Sequence, residues 1–178
     1  MMGGCECGVT VCVRESRMFD GIVFETRAKL DAAELSAFYR RQNHALGLSR
    51  EKLQRMLDNT FCVVVARRDE ELIGLARAVT DGLWGRLAEC KLDPSFQGPA
   101  CVTRKEGRIE HDADGIAREM ARLAIEALRE FGVERIDAVA YGTEVDFCEE
   151  LGFKKQRGVV ALELPSHAPS PAPLAPSM

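Results

Sequence analysis

Residues 115–132 read GIAREMARLAIEALREFG. Ile116, Met120, Leu123, Ala124, Ala127, Leu128 and Phe131 recur at helical spacing and gather on one face, and Gly132 supplies the left-handed residue that stops a helix. A helix with a single apolar face has to bury it against a second layer. The flanking segments supply that layer, because RLAECKL (86–92) precedes the helix and VERIDAVAY (133–141) follows it, and both are β-rich. Strand, helix and strand in this order predict a crossover unit with two parallel strands and a right-handed connection.

Upstream, FCVVVARR (61–68) and ELIGLARAVTD (71–81) are two β runs separated by Asp69-Glu70, the pattern of an antiparallel hairpin. GIVFET (21–26) is a further short strand. Asp31 followed by Glu34 forms a capping box for a helix to about Leu46, with Leu35, Phe38, Tyr39 and Gln42 at helical spacing. A second helix starts at Ser49 and carries Leu53, Met56 and Leu57. Downstream, TEVDFCEELG predicts a short helix ending at Gly152, and GVVALEL (158–164) a strand that closes the sheet. The class is α/β, with a mixed central β-sheet flanked by helices and a βαβ crossover.

ELIGLARAVTDG, LDPSFQG, GIAREMARLAIEAL and VDFCEELGFKK are four blocks in a fixed order. Together they resemble the GCN5-related N-acetyltransferase (GNAT) superfamily over about residues 20–164. The resemblance implies a GNAT-like domain over 19–164, acetyl-CoA as acyl-donor cosubstrate, and direct transfer of the acetyl group to an amine. In that family a Gln/Arg-x-x-Gly-x-Gly/Ala loop joins the fourth strand to the long helix, and its backbone N–H groups hold the CoA pyrophosphate at the helix start.

Here that loop is split. Gln97-Gly98 joined to Asp114-Gly115-Ile116-Ala117 matches the pattern, and Pro99–Ala113 stands between them. The resemblance assigns CoA binding to Leu92, Gln97, Gly98, Gly115, Ile116, Ala117 and Arg118, with the backbone after Leu92 holding the pantetheine arm. Three readings of the insertion stay open. Arg104, Lys105 and Arg108 would contact nucleotide phosphates; ACVTR and RIEH would pair as a hairpin around Lys105-Glu106-Gly107; or the segment is a spacer without a role. Asp112 and Asp114 lie beside the expected anion site in every case, and their charges oppose a phosphate.

Amine acetylation needs a base for the ammonium proton and an acid for the departing thiolate. Glu89 stands on strand 86–92 where many members of the family carry an acidic residue, and is the candidate base. The tyrosine that usually serves as the acid is replaced, since the block reads Phe147-Cys148-Glu149-Glu150-Leu151-Gly152-Phe153. Cys148 and Tyr141 are the remaining candidates, each set against an ordinary packing role. A member of the fold without activity, serving as a binding or assembly module, is the alternative that the split loop and the missing tyrosine suggest.

The rest of the sequence narrows the class. At 178 residues with 46% hydrophobic content the chain suits one domain with a sizeable core. A net charge of −4 gives no general attraction to nucleic acid or anionic lipid, so neither is an expected partner. The expected partner is a small-molecule or peptide amine, with a homodimer left open. The seven cysteines are odd in number and form no C-x-x-C pair. That usage predicts a reduced, cytoplasmic setting, and no metal site is assigned to Cys5, Cys7 and Cys12, or to His44 and His111. Residues 1–18 read as a flexible leader and the proline-rich 165–178 as a disordered tail.

Overall fold

The structure is a computed structural model that describes residues 13–15, 19, 21–44, 47–101 and 107–162. Among these residues the sheet has six strands, β1 (Val13–Glu15), β2 (Ile22–Thr26), β3 (Cys62–Arg68), β4 (Glu71–Thr80), β5 (Trp84–Leu92) and β6 (Arg135–Ala138). They stand in the sheet in chain order, each antiparallel to the next except β5 and β6, which are parallel. The β3–β4 hairpin turns at Asp69 and Glu70, both with positive φ (49° and 66°), the mirror-image turn geometry that suits the strand twist.

The helices are α1 (Ala32–Arg41), α2 (Arg50–Asp58), α3 (Ile116–Phe131) and α4 (Glu144–Glu150). Alternation along the central strands sends side chains to two cores. Cys62, Val64, Ala66, Ile73, Ala76 and Ala78 face α3, whereas Val63, Val65, Leu72 and Leu75 face α1 and α2. The sheet is thus sandwiched, as the sequence pattern predicts, and α3 is the crossover between β5 and β6. Small residues let α3 lie close: a Cβ on Gly74 would sit 2.6 Å from Met120 Cε, and one on Gly85 would sit 2.9 Å from the Leu128 methyls.

Caps set the helix starts. Asp31 accepts from the amides of Ala33 and Glu34 at 2.6 and 2.9 Å, and Ser49 Oγ accepts from Lys52 N at 3.4 Å. Glu34 does not complete the capping box; its carboxylate takes both terminal nitrogens of Arg67 on β3. Helix α1 ends earlier than predicted, at Arg41, because Asn43 turns left-handed with φ 53°. Leu46, its expected end, lies outside the described residues.

Three sequence expectations need correction. Val13–Glu15, assigned to the leader, pairs with Val23–Glu25 and extends the sheet. The strand expected over 133–141 is limited to Arg135–Ala138, which pairs with Trp84–Leu87 before the chain parts from β5. The expected last strand does not form within 158–162, where Val159, Val160 and Leu162 are 69%, 75% and 91% exposed. The edge it would have joined, β6, is only four residues long. Residues 163–164, Cys5, Cys7, Cys12 and the tail from 165 lie outside the described residues.

Candidate active site

Beyond Leu87 the two parallel strands part: β5 runs on to Leu92 while the chain after Ala138 has no strand partner. A cavity of about 320 Å³ opens at this divergence, between Leu87–Lys91 on one side and Ala138–Tyr141 on the other. Tyr39 and His44 close it from the end of α1, and Phe147 and Cys148 from α4.

Glu89 lies in the wall of this cavity. The Tyr39 hydroxyl donates to both of its carboxylate oxygens, at 2.7 and 2.8 Å, and Arg77 Nε donates to Oε2 at 2.7 Å. Arg77 and Glu89 are cross-strand partners on β4 and β5, next to a bulge at Arg77/Ala78 that breaks the register there. The Arg77 and Glu89 side chains are 12% and 9% exposed. Arg77 Nη1 also donates to Thr60 Oγ1 at 2.9 Å, which fixes the guanidinium from its other side. Burial first, then the Glu89 charge, pushes the Tyr39 phenol far above its usual range, so it stays a donor at working pH. Tyr39 has a single hydroxyl proton, shared between the two oxygens, and Arg77 supplies the second donor, so a carboxylate with about four acceptor positions keeps capacity for a ligand in the cavity.

The other two candidate catalytic residues line the same cavity. Cys148 is half-buried, and burial with the Glu144 charge raises its thiol, keeping it protonated at neutral pH. Tyr141 is 59% exposed, and the Arg108 guanidinium sits 5.7 Å from its ring centre. Glu89 and, about fifty residues on, the Tyr141 and Cys148 pair therefore line one space. His44 stacks edge-on against Tyr39, with ring centres 4.7 Å apart. His111 lies on the insertion, its amide donating to Gln97 Oε1 at 3.3 Å.

The residues assigned to CoA adopt a different arrangement from a bare phosphate loop. Gly98 and Gly115 have φ of 98° and 74°, conformations open to glycine, and Ile116 and Ala117 are fully buried at the start of α3. Gln97 is buried and faces inward: Nε2 donates to the carbonyls of Leu92 at 3.0 Å and Arg108 at 2.7 Å, while Oε1 accepts from Glu110 N at 2.9 Å. The Leu92 amide donates to the Gly107 carbonyl at 3.1 Å. Asp112 accepts from the amides of Ala117 and Arg118 at 2.9 and 2.8 Å. The Arg118 side chain reaches Glu150 on α4 at 2.5 Å. As they stand, the amides of Gly115, Ala117 and Arg118 are taken by Asp112 of the chain itself and not left bare for a pyrophosphate. The tip of the expected hairpin, including Arg104 and Lys105, lies outside the described residues.

Tyr39, Arg77 and Asp112 were not picked out as site residues from sequence. Arg77 carried a signal, a charge amid the small apolar residues of GLARAVT, whereas Asp112 lies three residues ahead of the N-cap Gly115, outside the position where Asp is a favoured cap. Tyr39 carried none, since its spacing fits a core position equally well.

Solved structures share this fold. A GNAT-family acetyltransferase of Streptococcus pneumoniae superposes with a TM-score of 0.58 over 80% of this chain and 98% of its own, at 17% identity. A probable acetyltransferase of Staphylococcus aureus gives 0.62 over 79% and 98%, at 14% identity. The chain has the GNAT fold. The aminoglycoside N-acetyltransferase AAC(6')-Iy, solved in complex with CoA, shares that GNAT fold with a TM-score of 0.58 over 81% of this chain and 95% of its own, at 12% identity. No protein-family model matches the sequence, and no curated protein matches it. Among the described residues, no cluster of side chains could hold a metal ion, and no helix is long and apolar enough to cross a membrane.

Proposed function

We propose that the protein is an acetyl-CoA-dependent N-acetyltransferase that transfers the acetyl group directly to an amine bound in the cavity beside Tyr39 and Glu89. The observation that carries this reading is a carboxylate, nine-tenths buried, held by two donors in the wall of a cavity at the divergence of two parallel strands. The amine nitrogen forms a bond to the thioester carbonyl carbon as the C–S bond breaks. Glu89 accepts the proton that the ammonium loses before attack, and the second proton, shed by the nitrogen as the amide forms, replaces the one that Cys148, Tyr141 or water gives to the departing thiolate. The acceptor is a small-molecule or peptide amine, and the setting is cytoplasmic. Other proteins of the fold include an aminoglycoside acetyltransferase solved with sisomicin, an aminoglycoside, which makes polyamino sugars a sensible first panel of acceptors.

A second reading, a catalytically silent binding module of the same fold, is favoured by one feature, the capture of the α3 amides by Asp112. Calorimetric titration with CoA, followed by an acetylation assay over a panel of amines, separates the two. An acetyltransferase binds CoA and releases free thiol with at least one amine, whereas a silent module does neither.

Cys148 is expected to serve packing more than turnover, since it lies against the α3-side core and its neighbours restrict it. Cys148→Ala should lower stability by about 1 kcal/mol and leave kcat within a few-fold, as read by urea unfolding and thiol release. A fall in kcat of about 10²-fold with stability and CoA affinity intact would make the thiol the general acid.

A further inference from the structure

The segment that splits the phosphate loop is built into the molecule. Its ends meet, since a Cβ on Gly98 would lie 2.9 Å from the Ala113 Cβ, and its Ile109 is 2% exposed within the core that α3 covers. Between these points Gln97 clamps the returning limb, and the limb delivers the Asp112 carboxylate to the first turn of α3. That turn needs an anion or acceptor, because Gly115 gives it no side-chain cap.

We propose that Gly107–Asp112 is a displaceable strap in which Asp112 is an internal anion that competes with the CoA pyrophosphate for the start of α3. The proposal rests on the acetyl-CoA reading and adds its regulation: the nucleotide end of the site is closed from within the chain. The same strap occupies the Leu92 amide through the Gly107 carbonyl, so it covers the strand edge as well as the helix end.

A second observation marks the closed state as one that can open. Gln42 at the end of α1 is 1% exposed, and both polar atoms of its side chain lack a hydrogen-bond partner among the described residues. A Cβ on Gly107 would lie 1.9 Å from Gln42 Oε1, so the strap itself lies over this amide. Burying an amide without partners is unfavourable, and lifting the strap returns it to water. Closure thus combines well-made bonds at Gln97 and Asp112 with an unmet pair at Gln42. Displacement is the exchange of one carboxylate for a more highly charged phosphate group at the same amides.

The test is calorimetric titration of the full chain, Asp112→Ala and Asp112→Ser with CoA and, separately, with inorganic pyrophosphate. The serine keeps a capping oxygen and guards against a variant that fails to fold. Both variants are expected to bind both ligands about tenfold more tightly than the parent, and ¹⁵N spectra should show the Ala117 and Arg118 amides shifting with pyrophosphate. If pyrophosphate binding rises while CoA binds to none of the three, the strap stands and the acetyl-CoA reading falls. If CoA binds all three chains equally, the acetyl-CoA reading stands and the strap is overturned. Folded variants that bind both ligands no better than the parent overturn it too.

Discussion

Excising Pro99–Ala113 should leave a folded protein that binds CoA at least about tenfold more tightly than the parent, a gain of ~1.4 kcal/mol. The junction is short, because Gly98 and Ala113 already touch, and joining Gly98 to Asp114 restores Gln-Gly-Asp-Gly-Ile-Ala ahead of α3. Two amides of the first turn, those of Ala117 and Arg118, lose their internal acceptor and become available to a pyrophosphate. Stability should move the other way. Ile109 and Cys101, both buried, leave the structure, and Gln97 loses its bonds to Arg108 and Glu110. Unfolding in urea should show a loss of about 2–4 kcal/mol, partly restored by saturating CoA. A folded excision variant with weaker CoA binding would mean that the insertion supplies ligand contacts of its own.

Glu89→Gln should lower kcat/KM by about 10²-fold or more at neutral pH, with a smaller deficit at alkaline pH. The amide keeps the volume and one oxygen for the Tyr39 hydroxyl, but it cannot take a proton from an ammonium and leaves Arg77 without its counter-charge. At alkaline pH part of the acceptor is already free amine, so a base is needed less. The pH–rate profile of both proteins, with CoA affinity and melting temperature measured alongside, checks this. A deficit that stays constant across pH would assign Glu89 to holding Arg77 and Tyr39 in place instead.

The two scales of the molecule differed in how openly they were written in the sequence. The layered α/β arrangement followed from periods: the apolar face of α3, the alternation in β3 and β4, and the Asp69-Glu70 turn each bias the backbone locally, and local bias is what a sequence displays. The short β6 was not legible, because its length is decided by where the chain parts from β5, which itself runs on to Leu92. Nor was the exposure of Val159, Val160 and Leu162, an apolar run that would suit a strand if an edge were there to receive it. Glu89 stood out through resemblance, yet its partners Tyr39 and Arg77 come from other elements, 50 and 12 residues away along the chain, and only the folded sheet brings them together. Asp112 was noticed as a charge that would repel a phosphate. Its capture of the α3 amides needed the path of the insertion, which no local pattern encodes.

Strand order that follows chain order has a kinetic consequence. Every strand pairs with its immediate chain neighbour, and β3, β4 and β5 follow one another through short turns, so that part of the sheet can zip up through nearby contacts. Joining β3 to β2 spans α1 and α2, and joining β6 to β5 spans α3 and the insertion. About 42 residues intervene, against about 27 without the insertion, and by the logarithmic law of loop closure the difference is only ~0.4 kcal/mol. A segment inserted there hardly slows or destabilises the assembly of the domain, so a chain can gain such a segment at the mouth of a ligand site and still fold.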